Sequence, residues 1–183
     1  MNRYIALLRG INVGRAKRIA MADLCHMFSE LGYTSVKSVL NSGNVVFDAG
    51  GVSATDAAGA IEEALVLRLG VGAKVFVLDS QELAGIVADN PLGPLATDPA
   101  RLYAFLLSGE AQRAMAEELC AREWGAESLA LGRRAAYVWC PEGMLDSAAA
   151  TALGKGLGDG TTSRNWNTIM RLHKLCGDGA CLS

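Results

Sequence analysis

The 183-residue chain carries 17 Lys and Arg against 19 Asp and Glu, a formal charge of −2, and 51% of it is apolar. So large an apolar share excludes a disordered chain, and no apolar run reaches the roughly 18 residues of a membrane span. The near-neutral balance lacks the basic excess of a dedicated nucleic-acid binder, so a role of that kind would have to rest on a local patch. In chain order, residues 4–8 form an apolar run closed by Arg9 and Gly10, the pattern of a buried strand. Met21, Leu24, Phe28 and Leu31 then recur at helical spacing, with Gly32 at the stop. Residues 36–40 and 45–47 flank Asn41-Ser42-Gly43-Asn44, a hairpin signal because Asn and Gly tolerate positive φ. Ser53 and Asp56 open a helix whose inner face carries Ala57, Ile61, Ala64, Leu65 and Leu69 before Gly70. Residues 73–78 read as a fourth strand and 80–88 as a short helix. The order β-α-β-β-α-β is that of a ferredoxin-like unit.

Pro91, Pro94 and Pro99 crowd one short stretch, and proline both lacks a donor and restricts its predecessor. The chain therefore divides into a first subdomain over 1–90, a Pro-rich linker over 91–100 and a second subdomain over 101–183 that ends in a helix. The second half repeats the first. Residues 102–107 read as a strand, and Ser108 as the cap of a helix carrying Ala111, Met115 and Leu119. Strands over 128–131 and 135–140 flank Gly132-Arg133, and a helix follows over 146–153. A short edge strand over 158–163 precedes a last helix with Trp166, Ile169, Leu172 and Leu175 on one face. The expected fold class is α+β, a tandem pair of ferredoxin-like (βαββαβ) subdomains packed together. A cleft between the halves is then the expected place for a ligand.

Three stretches carry a family resemblance: residues 6–14 (Ala-Leu-Leu-Arg-Gly-Ile-Asn-Val-Gly), 41–47 (Asn-Ser-Gly-Asn-Val-Val-Phe) and 163–168 (Ser-Arg-Asn-Trp-Asn-Thr). Together with the helix start at Ala20-Met21-Ala22-Asp23-Leu24, they resemble the domain-of-unknown-function 1697 family. The resemblance implies two ferredoxin-like subdomains and no particular activity. Arg15 stands where the family usually has a second glycine. Ser147-Ala148-Ala149 stands where a Ser-Lys-Leu-like stretch is common.

The residues with most chemistry lie in two of these stretches. Arg9, Arg15, Lys17 and Arg18 sit with Gly10 and Gly14 between a strand and a helix start. Glycines let backbone amides approach an anion, and the helix start favours negative charge. The spacing is not that of a Walker A loop, and a solvated basic turn uses the same residues. Arg164, Asn165, Trp166 and Asn167 open the last helix. An Asn there caps a helix and Trp166 fills a core, or the group stacks on and hydrogen-bonds a planar ligand. Ser42 and Asn44 belong first to the hairpin turn, and no G-x-S-x-G elbow surrounds Ser42. The glycines of 154–160 read as a flexible loop, not a dinucleotide fingerprint.

Five cysteines without a C-x-x-C pair read as reduced thiols of a cytoplasmic protein. The N-terminus reads as neither a signal nor a transit peptide. His173, Cys176 and Cys181 fall short of the four ligands of a structural zinc site, and His26 reads as a solvated helix residue. The leading functional reading is a binder of a small anionic ligand, such as one bearing phosphate, held between the subdomains. Arg9, Asn12, Gly14, Lys17, Ser42, Asn44, Arg164, Asn165, Trp166 and Asn167 are the candidate residues. The rival readings are a protein- or RNA-interaction module using Tyr4 and Phe47 on an open sheet face, or an enzyme whose reaction has no visible motif. Cofactor and oligomeric state stay open.

Overall fold

The computed structural model describes residues 2–14 and 18–177 of the chain. Contacts gather them into two compact units. The first runs to Gln81 and resumes at Arg171, and the second is Glu82–Met170. Each holds a four-stranded antiparallel sheet, and the described residues form six α-helices in all.

In the first unit the chain runs β1 (Arg3–Leu8), α1 (Met21–Glu30), β2 (Thr34–Val39), β3 (Asn44–Asp48), α2 (Ala54–Leu69) and β4 (Val75–Asp79). The strands lie side by side as β2-β3-β1-β4, with β2 and β4 at the edges. Alternation along β1 sends Tyr4, Ala6 and Leu8 into a core with Leu24 and Phe28 of α1 and Ile61 and Leu65 of α2. Ile5 and Leu7 point to the other face and are just as buried. Ser53 caps α2 by accepting from the Asp56 N–H, and Gly70 ends it in the left-handed region at φ 65°. Phe47 is the hub of the aromatic core, with ring centroids 4.8 Å from Tyr33, 5.2 Å from Phe28 and 5.9 Å from Tyr4. The expectation of Tyr4 and Phe47 as an RNA-stacking pair is therefore corrected. Both lie beneath the helices, because a strand's two-residue period puts them on the helix-covered face.

The β2–β3 turn shows why glycine stands at 43. Its φ is 79°, and a Cβ there would come within 2.7 Å of Ile11 Cδ1 and 2.9 Å of Leu8 Cβ. The second left-handed residue of this turn is Leu40, at φ 61°.

The second unit opens with α3 (Ser80–Ala88), whose first two residues close the first unit. It continues through β5 (Leu102–Leu106), α4 (Glu110–Cys120), β6 (Ser128–Leu131), β7 (Ala135–Trp139), α5 (Ala148–Leu157) and β8 (Ser163–Asn165). Its sheet order is β6-β7-β5-β8. Phe105, Ala136 and Val138 pack with Ala116 and Leu119 of α4 and with Ala149, Leu153 and Leu157 of α5. The last helix, α6 (Trp166–Gly177), starts in this unit and continues into the first.

Several local details depart from the sequence reading. The N-cap of α4 is Gly109 and not Ser108, and no side chain caps it. The helix expected from 146 starts after Ser147, whose hydroxyl accepts from the Ala150 N–H, because Met144–Asp146 form a separate 3-10 turn. Residues 154–157, expected in a flexible loop, complete α5. Gly158–Gly160 form another 3-10 turn, so the edge strand begins only at Ser163. Residues 82–90, placed with the first half from sequence, sort with the second unit by contacts, and 171–177 sort with the first. The Pro-rich stretch lies within the second unit.

Candidate functional site

Asn12 organises the first loop. At φ 56° it adopts the left-handed conformation that Asn tolerates. Its Oδ1 accepts from the Ile19 N–H at 2.7 Å, and its Nδ2 donates to Ile19 O at 3.0 Å and Asn41 O at 2.9 Å. Both amide hydrogens are thus committed to backbone, closing the base of the loop and tying it to the β2–β3 turn. Gly14 is exposed at φ 61°, and Arg9 is half-buried with its N–H on Lys74 O. Lys17 lies outside the described residues.

Across the turn, Asn44 is fully buried and donates to Val39 O at 2.9 Å and to Ser42 Oγ at 3.0 Å. Two asparagine amides therefore hold the carbonyls on either side of Leu40, Val39 O and Asn41 O. Between them Leu40 is fixed in a left-handed conformation with 48% of its surface exposed. Among the described residues the non-glycine positions at positive φ are Asn12, Ser35 and Leu40, all in the first unit.

Leu40 forms one wall of a cleft of about 560 Å³. Ser38, Val39 and Leu40 at the end of β2 face Arg171, Lys174 and Leu175 of α6. The last three follow the i, i+3, i+4 spacing that shares one helix face. Among the described residues no carboxylate lies within ion-pair distance of Arg171 or Lys174. They stand in the last two turns of α6, where cations also offset the negative end of the helix dipole. That end of α6 is anchored by Arg3, which donates to Leu175 O at 3.4 Å while gripping Asp48 through Nε at 3.0 Å and Nη2 at 3.1 Å. The Arg3 hydrogen bonds hold the Asp48 carboxyl below its ordinary range. Burial pushes the neighbouring Cys176 thiol up to about 11, which keeps it protonated and unreactive.

The other candidate stretch lies in the second unit. Arg164 Nη1 donates to Thr162 Oγ1 at 2.9 Å and to Ser163 O at 2.8 Å, and burial alone lowers the guanidinium to about 10. Asn165 Oδ1 accepts from the N–H and the hydroxyl of Thr168, the capping geometry that opens α6. Trp166 meets Tyr137 edge to face at 6.1 Å, and Asn167 is exposed. The candidate residues thus fall into two groups, Arg9, Asn12, Gly14, Ser42 and Asn44 in the first unit and 164–167 in the second. His26 is a surface residue facing Glu30. Cys181 lies outside the described residues, among which no cluster of metal-ligating side chains occurs.

Sequence reasoning missed Arg171 and Lys174. A detectable signal existed: two cations one turn apart, beside Leu175 on the flank of the apolar stripe of the last helix.

The fold is similar to that of the conserved bacterial protein SP0830 from Streptococcus pneumoniae. The TM-score is 0.78 over 96% of this chain and 98% of that one, at 23% sequence identity. No match was found among curated proteins. No helix among the described residues is long and apolar enough to cross a membrane. The model of the protein family of unknown function DUF1697 matches residues 1–137, which hold the first two recognised stretches but not 163–168, and the chain belongs to that family.

Proposed function

We propose that the chain binds a small anionic ligand, and that the cleft between the end of β2 and α6 in the first unit receives it. The carrying observation is the pair of cations, Arg171 and Lys174, on one wall of a cavity of about 560 Å³. That volume lies within the roughly 300–1,000 Å³ range of small-molecule sites. Ser38, Val39 and Leu40 form the opposite wall. Asn12, Ser42 and Asn44 serve this site as scaffold, because their hydrogen bonds shape the turn that presents Leu40. Arg9 and Lys17 of the first loop remain candidates for a second anion contact. The order of strands and helices supports reading each unit as a ferredoxin-like βαββαβ subdomain.

The test is calorimetric titration of wild type, Arg171→Ala/Lys174→Ala and Arg9→Ala with inorganic phosphate and with acetate. Wild type binds at least one of the anions and the double variant loses at least tenfold in affinity. Both changed side chains are exposed on a helix, so the variant folds. Undiminished binding by the double variant, or no binding by wild type, overturns the proposal. Loss in Arg9→Ala alone returns the site to the first loop.

A further inference from the structure

Leu40 is doubly unfavourable where it stands. An apolar side chain is held in water, and a residue with a bulky Cβ substituent is held in the left-handed region where Gly and Asn belong. Such positions persist only when their surroundings over-determine them, and they concentrate at ligand clamps. Here the surroundings are explicit: the Asn44 amide fixes Val39 O before Leu40, and the Asn12 amide fixes Asn41 O after it. The effect is to hold Leu40 in the lining of the cleft together with Val39 and Leu175. The cleft lining therefore combines two chemistries. Arg171 and Lys174 bring cations to the lining, and Val39, Leu40 and Leu175 bring apolar side chains.

We infer that the ligand is an amphiphilic anion, a single negatively charged head joined to an apolar body, with the head on Arg171 and Lys174 and the body against Leu40. The inference rests on the reading of the cleft as an anion site and adds the substrate class to it. A purely polar anion makes no use of Leu40, and an uncharged apolar molecule makes none of the two cations.

The experiment measures dissociation constants for acetate, butyrate, hexanoate and octanoate on the full chain. Each methylene buried against Val39, Leu40 and Leu175 tightens binding about fourfold, so affinity climbs along the series until the cleft is filled. In Leu40→Gly the left-handed backbone is relaxed and the apolar wall removed. The dependence of affinity on chain length flattens relative to wild type. Leu40→Asn, which suits the same backbone, does the same and separates loss of the side chain from any change in the turn. Acetate binding with no gain along the series overturns the amphiphile and leaves the anion site standing. Failure of every carboxylate to bind, with phosphate still bound, overturns the amphiphile and leaves the anion site standing; failure of phosphate as well overturns the anion site itself. An undiminished slope in both Leu40 variants also overturns the inference.

Discussion

The two units solve one problem in different ways. Each packs a helical segment that the chain delivers from beyond its neighbour's last strand, α3 after β4 in one case and the end of α6 after β8 in the other. The second unit holds α3 with a neutral, buried donor: Tyr137 OH gives its hydrogen to Ile86 O at 2.6 Å. Burial raises the pKa of that hydroxyl, so it remains a donor across the accessible pH range. A surface pair, Arg133 with Asp89 at 2.8 Å, and the Arg134–Glu82 pair at 2.7 Å lie alongside. The first unit holds the end of α6 with an ionic device, Arg3 clasped by Asp48 and reaching Leu175 O. A neutral latch is indifferent to pH, and an ionic one is not. Of these two latches, the one in the unit that carries the cleft is the one that responds to acid.

The comparison is easiest to break at Tyr137. Tyr137→Phe leaves Ile86 O buried without its donor and costs about 1–3 kcal/mol. The three tryptophans, Trp124, Trp139 and Trp166, all belong to the second unit. Tryptophan fluorescence during urea unfolding therefore reads this loss directly, and an unchanged midpoint would remove the latch from the account. Asp48→Asn comes next, losing a charge-assisted bond worth about 1.5–3 kcal/mol when intact and less here because Arg3 is partly solvated. The folded-state pKa of Asp48 lies below its ordinary value of 3.8. Its contribution is fully present above that value and fades as pH falls through the folded pKa. Acid titration below about pH 4 should move far-UV circular dichroism before tryptophan fluorescence in wild type. The variant should show weaker dependence on pH. Arg133→Ala is the smallest change, since an exposed ion pair contributes little. Its fluorescence midpoint should match wild type within error, and a clear shift would make the surface pair a partner of Tyr137.

Much of the fold was legible because its signals are local. The Ser53 cap, the Gly70 stop and the bounds of the helix over 80–88 all follow from neighbours in sequence. The division into units was not, because what claims α3 for the second unit is a hydroxyl on β7, far along the chain from Ile86. Ser108 misled for a related reason: a good capping residue one position early is indistinguishable in sequence from the Gly109 that does the work. At the site, the asparagines were visible, but their task was not. Asn12 reads as a ligand donor until its hydrogens are seen spent on Ile19 and Asn41. Arg171 and Lys174 acquire meaning only when α6 returns to the strand bearing Ser38, and no spacing rule connects residues so distant.

That return also dictates an order of events during synthesis. The second unit is a continuous stretch, whereas the first is interrupted by the whole of the second and resumes only at Arg171. On the ribosome the second unit can close as soon as its own residues emerge. The sheet carrying Ser38 and Leu40 waits for the end of α6, including the Leu175 carbonyl on which Arg3 is anchored. Any nascent or truncated chain ending before Arg171 has one wall of the cleft and lacks both of its cations. The anion binding proposed for the cleft is thereby confined to chains in which α6 has been made.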